Sequence, residues 1–446
     1  MHGVQLSGRS RRRRRDRFLG PEHRSHGLRM RLIGRAHLAP ADRARGHGAT
    51  VRAAAPAAVV WLCTGIAGAG QLSVTFRNVA PLGSTATDQF GQSFTVTGMS
   101  GIAHRTGNEF IAVMDNSNKL VRISALVDAT GALSAATIAG GITLAESRDF
   151  EGAAFAPPDF DSIYLSEEDT PAVHRFDLAT GARLESLMTP AVFAHRRNNF
   201  GFESLTIARD GSTMWTANEE ALTVDGPLST QSAGSVVRLL RYAGTADGGL
   251  VPLEQFPYVT EPLHGSPISG SRSGMSDLLL TPDGRMIALE RSLAFSAGGL
   301  FRTRIFELST AGATEVSGLA GLEGASFAAA SKVMLYSGDQ QNLEGLALGV
   351  PLDERAGRWS LIGVVDDADP ISVNRLAAFE LAGVEPPARC AGDLDGSGEV
   401  DSTDLNVLLT DFGCPGPGCT GDADGDGDTD STDLNLVLSV FGLACP

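Results

Sequence analysis

The chain has 446 residues, with 36 basic and 52 acidic side chains and a formal charge of −16. That total averages two oppositely charged stretches: residues 1–69 hold 14 arginines against Asp16, Glu22 and Asp42, a net of +11, which leaves 22 basic and 49 acidic side chains, a net of −27, in the other 377 residues. So acidic a body repels nucleic acid and anionic lipid, which excludes phosphate-backbone binding unless metal ions intervene, and makes divalent cations the natural partners. A hydrophobic share of 42% with 53 glycines fits a turn-rich globular protein of one large domain or two to three ordinary ones.

Residues 1–69 read as a basic leader and secretory signal. The arginine run Arg11 to Arg15 and a basic region ending at Arg52 precede an apolar stretch from Ala53 through Val59, Val60, Trp61, Leu62 and Ile66, and Ala67-Gly68-Ala69 supplies the small residues of a cleavage site. Met30 is an alternative start. A nucleic-acid patch at the arginines and an uncleaved anchor are the competing readings, the second weakened by a stretch short for a span that contains Pro56. Val60, Trp61 and Leu62 before Cys63 lack the small residues of a lipoprotein signal. The mature chain is therefore expected to be secreted, periplasmic or at the cell surface, with no membrane span.

Residues 70–382 show no long helical periodicity; short β-rich runs recur with turn signals such as Asp210-Gly211 and Asp283-Gly284. Five strand openings align: Ser100-Gly101-Ile102, Glu151-Gly152-Ala153, Glu203-Ser204-Leu205, Ser276-Asp277-Leu278 and Glu344-Gly345-Leu346. A second acidic element follows each, namely Asp115, Glu167 with Glu168, Glu219 with Glu220, Glu290, and Asp366 with Asp367. Repeats of roughly 50 to 70 residues, each of several strands, predict an all-β fold, a β-propeller. Leu72 to Val96 is expected to complete a sixth blade with the end of the domain, giving about six. Innermost strands line the axis, so Glu151, Glu203, Asp277 and Glu344 are expected to converge there. Like charges so close repel unless protons or cations neutralise them, and calcium is the expected occupant. The alternative is that these acids only cap turns or bond backbone amides and recur because blades recur.

Gly98-Met99-Ser100-Gly101-Ile102, Asp149-Phe150-Glu151-Gly152, Asn199 through Leu205, Leu289-Glu290-Arg291-Ser292 and Asn342 through Leu346 resemble, in order, the landmarks of the phytase-like domain described as having esterase-like activity. The resemblance covers about residues 75–382 and implies a propeller that hydrolyses phosphate esters or other esters. Ser204 stands where glycine is usual, and Val365 through Asp369 matches its landmark only approximately. Glu151, Glu203, Asp277, Glu344, Glu290 and Arg291 are the candidate catalytic residues. Arg196, Arg197 and His195 lie beside landmark acids, and Arg291 has a structural alternative, pairing with a neighbouring carboxylate. No Gly-x-Ser-x-Gly elbow occurs on a strand-to-helix turn, and His264 reads as a solvated loop histidine, so a serine-esterase mechanism finds little support.

Residues 383–389, with Pro386-Pro387, read as a semi-rigid linker. Residues 390–446 then repeat with a period of 29: Asp393, Asp395, Ser397, Glu399, Asp401 and Asp404, and again Asp422, Asp424, Asp426, Asp428, Asp430 and Asp433, fall at positions 1, 3, 5, 7, 9 and 12 of two calcium loops with glycine at position 6. Each runs into a short helix with apolar residues at i, i+3, i+4 and i+7: Leu405, Leu408, Leu409, Phe412 and Leu434, Val437, Leu438, Phe441. These faces are expected to pack on each other. This EF-hand-like pair resembles a type I dockerin. The resemblance implies that Ser402, Thr403, Ser431 and Thr432 face a cohesin partner. Calcium used for folding alone is the alternative. The four cysteines of the module allow three pairings, of which Cys390 with Cys414 and Cys419 with Cys445, each closing one loop-helix unit, is the favoured one; zinc on the four thiols is the alternative.

Overall fold

Short turns and a few longer loops break the middle of the chain into antiparallel strands, which assemble into five four-stranded sheets. The structure, a computed structural model, describes residues 70–245, 248–340, 342–354, 356–366, 374–385, 392–395, 399–416 and 418–442. Residues 1–69, expected to be a leader, lie outside them, as do Ser397, Cys390, Cys445 and Asp367 to Asp369. Strand β1 (Ser73–Pro81) and the hairpin β2 (Thr85–Thr87) with β3 (Ser93–Thr95) lead into the first blade, β4 (Met99–Thr106), β5 (Glu109–Met114), β6 (Ser117–Val127) and β7 (Leu133–Arg148). The second blade is β8 (Phe150–Phe155), β9 (Ser162–Glu167), β10 (Ala172–Asp177) and β11 (Arg183–Ser186); the third is β12 (Thr206–Ile207), β13 (Thr213–Ala217), β14 (Val236–Gly244) and β15 (Leu250–Val259). The fourth is β16 (Arg272–Leu280), β17 (Met286–Ser296), β18 (Gly299–Ser309) and β19 (Ser331–Gly338). β20 (Leu343–Asp353), β21 (Arg358–Val365) and β22 (Arg375–Ala382) make the fifth.

The first strand of each blade is the innermost: β4 packs against β8 and β20, β12 against β8 and β16, and β16 against β20, which closes the ring. The protein is a five-bladed β-propeller, not a six-bladed one. The expected sixth blade fails because β1 is taken by the fifth, where it pairs antiparallel with β22 from Ser73 opposite Ala382 to Pro81 opposite Arg375. An N-terminal strand thus completes a C-terminal sheet, covering the edge that β22 would otherwise expose. Blades pack face to face, so strands such as β8 and β17 are buried on both faces, whereas the outer β19 has no fully buried residue.

Close approach at the axis explains the recurring small residues. A Cβ at Gly101 would lie 2.3 Å from the Glu151 carbonyl oxygen, one at Gly152 would lie 2.6 Å from the Leu205 nitrogen, and one at Gly345 would lie 2.8 Å from the Ser100 oxygen. Glycine lets neighbouring inner strands touch backbone to backbone. Asp277 stands at the same repeat position in the fourth blade and does something different there. Its carboxylate accepts from the amides of Leu346 (2.7 Å), Leu278 (2.8 Å) and Leu205 (3.5 Å), so one side chain ties three inner strands together.

In the C-terminal module, α1 (Ser402–Asp411) and α2 (Ser431–Val440) each begin with a reciprocal capping box, Asp401 with Asp404 and Asp430 with Asp433. Only Leu408 and Val437 of the expected apolar faces are fully buried, joined by Leu394 and Val400. Leu409, Phe412, Leu438 and Phe441 stay about half exposed, because helices of ten residues turn only a narrow stripe toward so small a core. The favoured disulfide pairing is also corrected: Cys414 bonds Cys419, at a Cα separation of 5.8 Å, closing the turn between the repeats rather than each loop-helix unit.

Replacing Asp277 by Ala leaves three buried amides without an acceptor, and at about 1–3 kcal/mol for an unsatisfied buried group the loss of stability is expected to reach about 3 kcal/mol in denaturant unfolding. A change below about 0.5 kcal/mol would contradict the tie assigned to it.

Candidate functional site

Strand register builds the site at one mouth of the axis. Side chains alternate along a strand, so the residue before each close-approach position turns away from the neighbouring backbone; these residues are Ser100, Glu151, Glu203, Ser276 and Glu344. The carboxylates of Glu151, Glu203 and Glu344, from three different blades, lie within 4.8 Å of one another. Asp277 is not among them. It sits one residue further on, and a shift of one residue sends a strand side chain to the opposite face.

A second tier comes from the partner strands. The ladders set Gly98 opposite Asp115, Asp149 opposite Glu168, Gly201 opposite Glu219, Gly274 opposite Arg291 and Asn342 opposite Asp366, with the matching amide-to-carbonyl bonds in the four acidic cases. Glu290 was the expected fourth-blade counterpart of these acids; the register gives that place to Arg291. Glu290 points the other way, where it accepts from Tyr258 (2.6 Å), Lys332 (2.7 Å) and the Glu261 amide (2.8 Å). It is part of the packing of the fourth blade, outside the axial site.

Arg291 is 2% exposed and spans the mouth. Its guanidinium bonds Glu219 (2.9 Å), Asn342 (2.9 Å) and Glu344, and reaches within 3.9 Å of Glu203. Arg272, about a third exposed, approaches Glu219 at 3.3 Å. On the other side Asp115, Asp149 and Glu151 form a triad with oxygens within 4.8 Å, and Glu168, Glu203 and Glu219 form another. Asn342 also donates to Asp366 at 2.8 Å. The second oxygen of Glu203, Oε2, is buried with no hydrogen-bond partner.

The electrostatics follow from that geometry. Burial, then the charges of Glu168, Asp149 and Asp115, push Glu151 well above the usual carboxylate range. Burial, then Glu151, Glu219 and Glu168, do the same to Glu203 against the pull of Arg291. Glu168 is pushed up to about 8 by burial and then by Glu219 and Asp149, and Asp149 is raised chiefly by burial. Asp277 is also raised to about 8, since burial outweighs its three amides.

These donors fit a hard divalent cation. They are all carboxylate oxygens, several converge within one coordination sphere, and Glu203 Oε2 is a desolvated acceptor with nothing to accept. Asp115, Asp149, Glu151, Glu168 and Glu203 are the residues that would hold it. Asp149, Glu168 and Glu219 are the site residues that strand openings alone pass over; pairing each inner strand with its partner strand two residues before the glutamate would have found them.

The other candidates settle elsewhere. Arg196 is spent on the carbonyl and carboxylate of Asp169, and Arg197 on the carbonyls of Ala221 and Gly226. A cavity of about 360 Å³ lined by Asp169, Thr170, Arg196 and Asn198 adjoins Glu168 in the chain. His264 bonds Ser292, which is wholly buried and unsuited to nucleophilic attack on a substrate. In the module, Asp393, Asp395 and Asp404 converge within 4.8 Å. Asp422 accepts from Gly425 and Gly427, Asp424 from Asp426, and Asp426 from Asp428, so the second loop folds around its own carboxylates. Ser402, Thr403, Ser431 and Thr432 are exposed. No helix among the described residues is long and apolar enough to cross a membrane.

A propeller whose strand ends gather carboxylates around one axial mouth defines a class, and the sequence places the chain within it. The chain belongs to the phytase-like family, whose model, described as esterase-like activity of phytase, matches residues 95–367. No curated protein sequence matches it. Among solved structures it is similar to the PQQ-bound aldose sugar dehydrogenase of Streptomyces coelicolor, at 12% identity over 70% of this chain and 99% of that one, with a TM-score of 0.31. The periplasmic gluconolactonase of Pseudomonas aeruginosa is 12% identical over 72% of this chain and 98% of that one, with a TM-score of 0.32. At these values the likenesses carry no reading of activity.

The raised carboxyls fix the sign of a pH effect. Glu151, Glu203, Glu168 and Asp277 bind protons more tightly folded than unfolded, so the stability they contribute is present below the ordinary carboxylate range and is lost as pH rises through their raised range, which for Glu168 and Asp277 lies at about 8. In chelator, unfolding free energy is expected to fall between pH 5 and pH 8, and calcium should flatten the slope and release protons on binding, which calorimetry in buffers of different ionisation enthalpy measures. A stability that rises over that interval in chelator would contradict the assignment.

Proposed function

We propose that the protein is an exported hydrolase that cleaves phosphate esters, or other esters, at the axial carboxylate site with calcium as cofactor, and that a calcium-binding dockerin-like module tethers it. The observation that carries the catalytic reading is the two-tier carboxylate mouth with Glu203 Oε2 buried and unpartnered. Family membership gives it direction. When bound, calcium supplies charge neutralisation for the oxygens of an anionic ester.

The chain's own residues set the rest. Asp115, Asp149, Glu151, Glu168 and Glu203 would hold the cation, and Arg291 fixes Glu219 and Glu344 on the far side. Arg272, at the exposed side of Glu219, is the basic group placed to meet an anionic ester and orient it. Steady phosphate release from phytate or p-nitrophenyl phosphate is expected, lost on chelation and reduced at least about a hundredfold by Glu151→Ala or Glu203→Ala. Intact folding with no turnover on a panel of esters would favour the second reading, a propeller that binds a small ligand without acting on it.

For residues 390–446, two calcium ions would hold together a core that among the described residues clusters four buried apolar side chains, too few to stand alone. Ser402 and Thr403, with Ser431 and Thr432, present the surface for a cohesin-like partner. Chelation is expected to remove the helical circular dichroism of the isolated module once Cys414–Cys419 is reduced, and an unchanged spectrum would defeat the calcium-folding claim. Capture of a cohesin domain by the module, abolished by Ser402→Ala/Thr403→Ala combined with Ser431→Ala/Thr432→Ala, tests the tether.

A further inference from the structure

The second tier breaks its own pattern once. Asp115, Glu168, Glu219 and Asp366 occupy equivalent ladder positions in four blades, and in the fourth blade that position is Arg291. The guanidinium lies where a carboxylate would otherwise stand, and its partners are Glu219, Asn342 and Glu344, contributed by the third and fifth blades. Those two glutamates are buried, so without a positive charge beside them each would be a buried charge with no counter-ion.

The mouth therefore has two unequal halves. Asp115, Asp149 and Glu151 form a triad from the first and second blades that contains no residue reached by Arg291, whereas the triad of Glu151, Glu203 and Glu344 and that of Glu168, Glu203 and Glu219 each contain two. Glu203 stands between the halves: Oε1 faces Arg291 at 3.9 Å, and Oε2 is the buried oxygen with no partner. We propose that Arg291 takes the place of a second cation, so that the axial site holds a single divalent ion, confined to Asp115, Asp149, Glu151, Glu168 and the free oxygen of Glu203. This rests on the reading of the mouth as a cation site and adds its stoichiometry and its side. A guanidinium is a permanent charge of fixed geometry, and it repels a divalent ion from the carboxylates it already bridges.

The test is calcium-dependent hydrogen–deuterium exchange on the full chain, with equilibrium dialysis to count ions. In the unaltered protein, calcium is expected to slow exchange in peptides over residues 111–118, 149–155 and 166–169 and to leave 217–220 and 342–348 unchanged. In Arg291→Gln and Arg291→Met the protection is expected to extend to those last two segments, and uptake at saturation to rise by one ion per chain. Arg291→Lys keeps the count of the unaltered protein. Ions held by the C-terminal loops are common to all four proteins and cancel in the difference. Unchanged uptake in both neutral variants overturns the assignment, as does calcium protection of 217–220 and 342–348 in the unaltered chain. Variants that fold only in calcium support it, because the ion then replaces the guanidinium, and variants unfolded with and without calcium count against it. If calcium protects no propeller segment of the unaltered chain, the cation site itself falls; if it protects the first three and Arg291→Gln changes nothing, the site stands and this inference alone falls.

Discussion

Backbone contact between inner strands is the constraint on which everything else in the propeller depends. Five strands pass one axis in mutual contact because the residue at each crossing has no side chain, a small one, or one bonded to the neighbouring backbone. Gly101, Gly152 and Gly345 have no side chain, Ser204 has a small one whose Oγ is buried without a partner, and the Asp277 carboxylate accepts from neighbouring amides. Once the crossing residue is fixed, the pleat decides the rest: the preceding side chain turns to the mouth, and the residue across the ladder from the one two places earlier joins it. The acidic site is thus a by-product of the same register that closes the ring.

Gathering acids this way has an electrostatic cost that the sequence also answers. Glu151 and Glu203 are buried among like charges, and burial is the largest cause of their raised affinity for protons. Protons, a cation or a guanidinium can each neutralise such a group, and at this mouth Arg291 serves Glu219 and Glu344. The net charge of −27 over residues 70–446 is in this sense local as well as global. Glu290, by contrast, is buried one residue away among Lys332, Tyr258 and Arg304, fully compensated and without access to the axis. Adjacent residues on one strand, of opposite charge, have unrelated roles because they face different ways.

The C-terminal module solves a smaller version of the same problem. Asp404 and Asp433 are wholly buried acids, each accepting three backbone amides, two from its loop and one that caps its helix. That binding of loop to helix is what makes the two repeats alike. The bridge Cys414–Cys419 adds a covalent closure between them, and Asp411 beside it accepts from Gly421 and Thr429 at the start and middle of the second loop. Val440 stands at the equivalent place in the second repeat, so that position carries no carboxylate.

The all-β class, the repeat, the phytase-like landmarks and the glycine-punctuated loops of the module were all legible in the chain, because turn residues, apolar runs and loop ligands are local properties of sequence. Glu151, Glu203 and Glu344 were legible as members of one site for the same reason: they recur before the same close-approach position. Asp277 and Glu290 were misplaced by a single residue each, and in a strand a single residue reverses the face. Whether Ser73 to Pro81 begins a new blade or completes the last one depends on a pairing across some 300 residues, which no local pattern records. The same is true of Arg291, which reads in sequence as a charge beside a landmark acid. By itself the sequence determined which residues have the chemistry for a cation; only the tertiary structure, by fixing register and closure, decided which of them meet and which one already has a counter-ion.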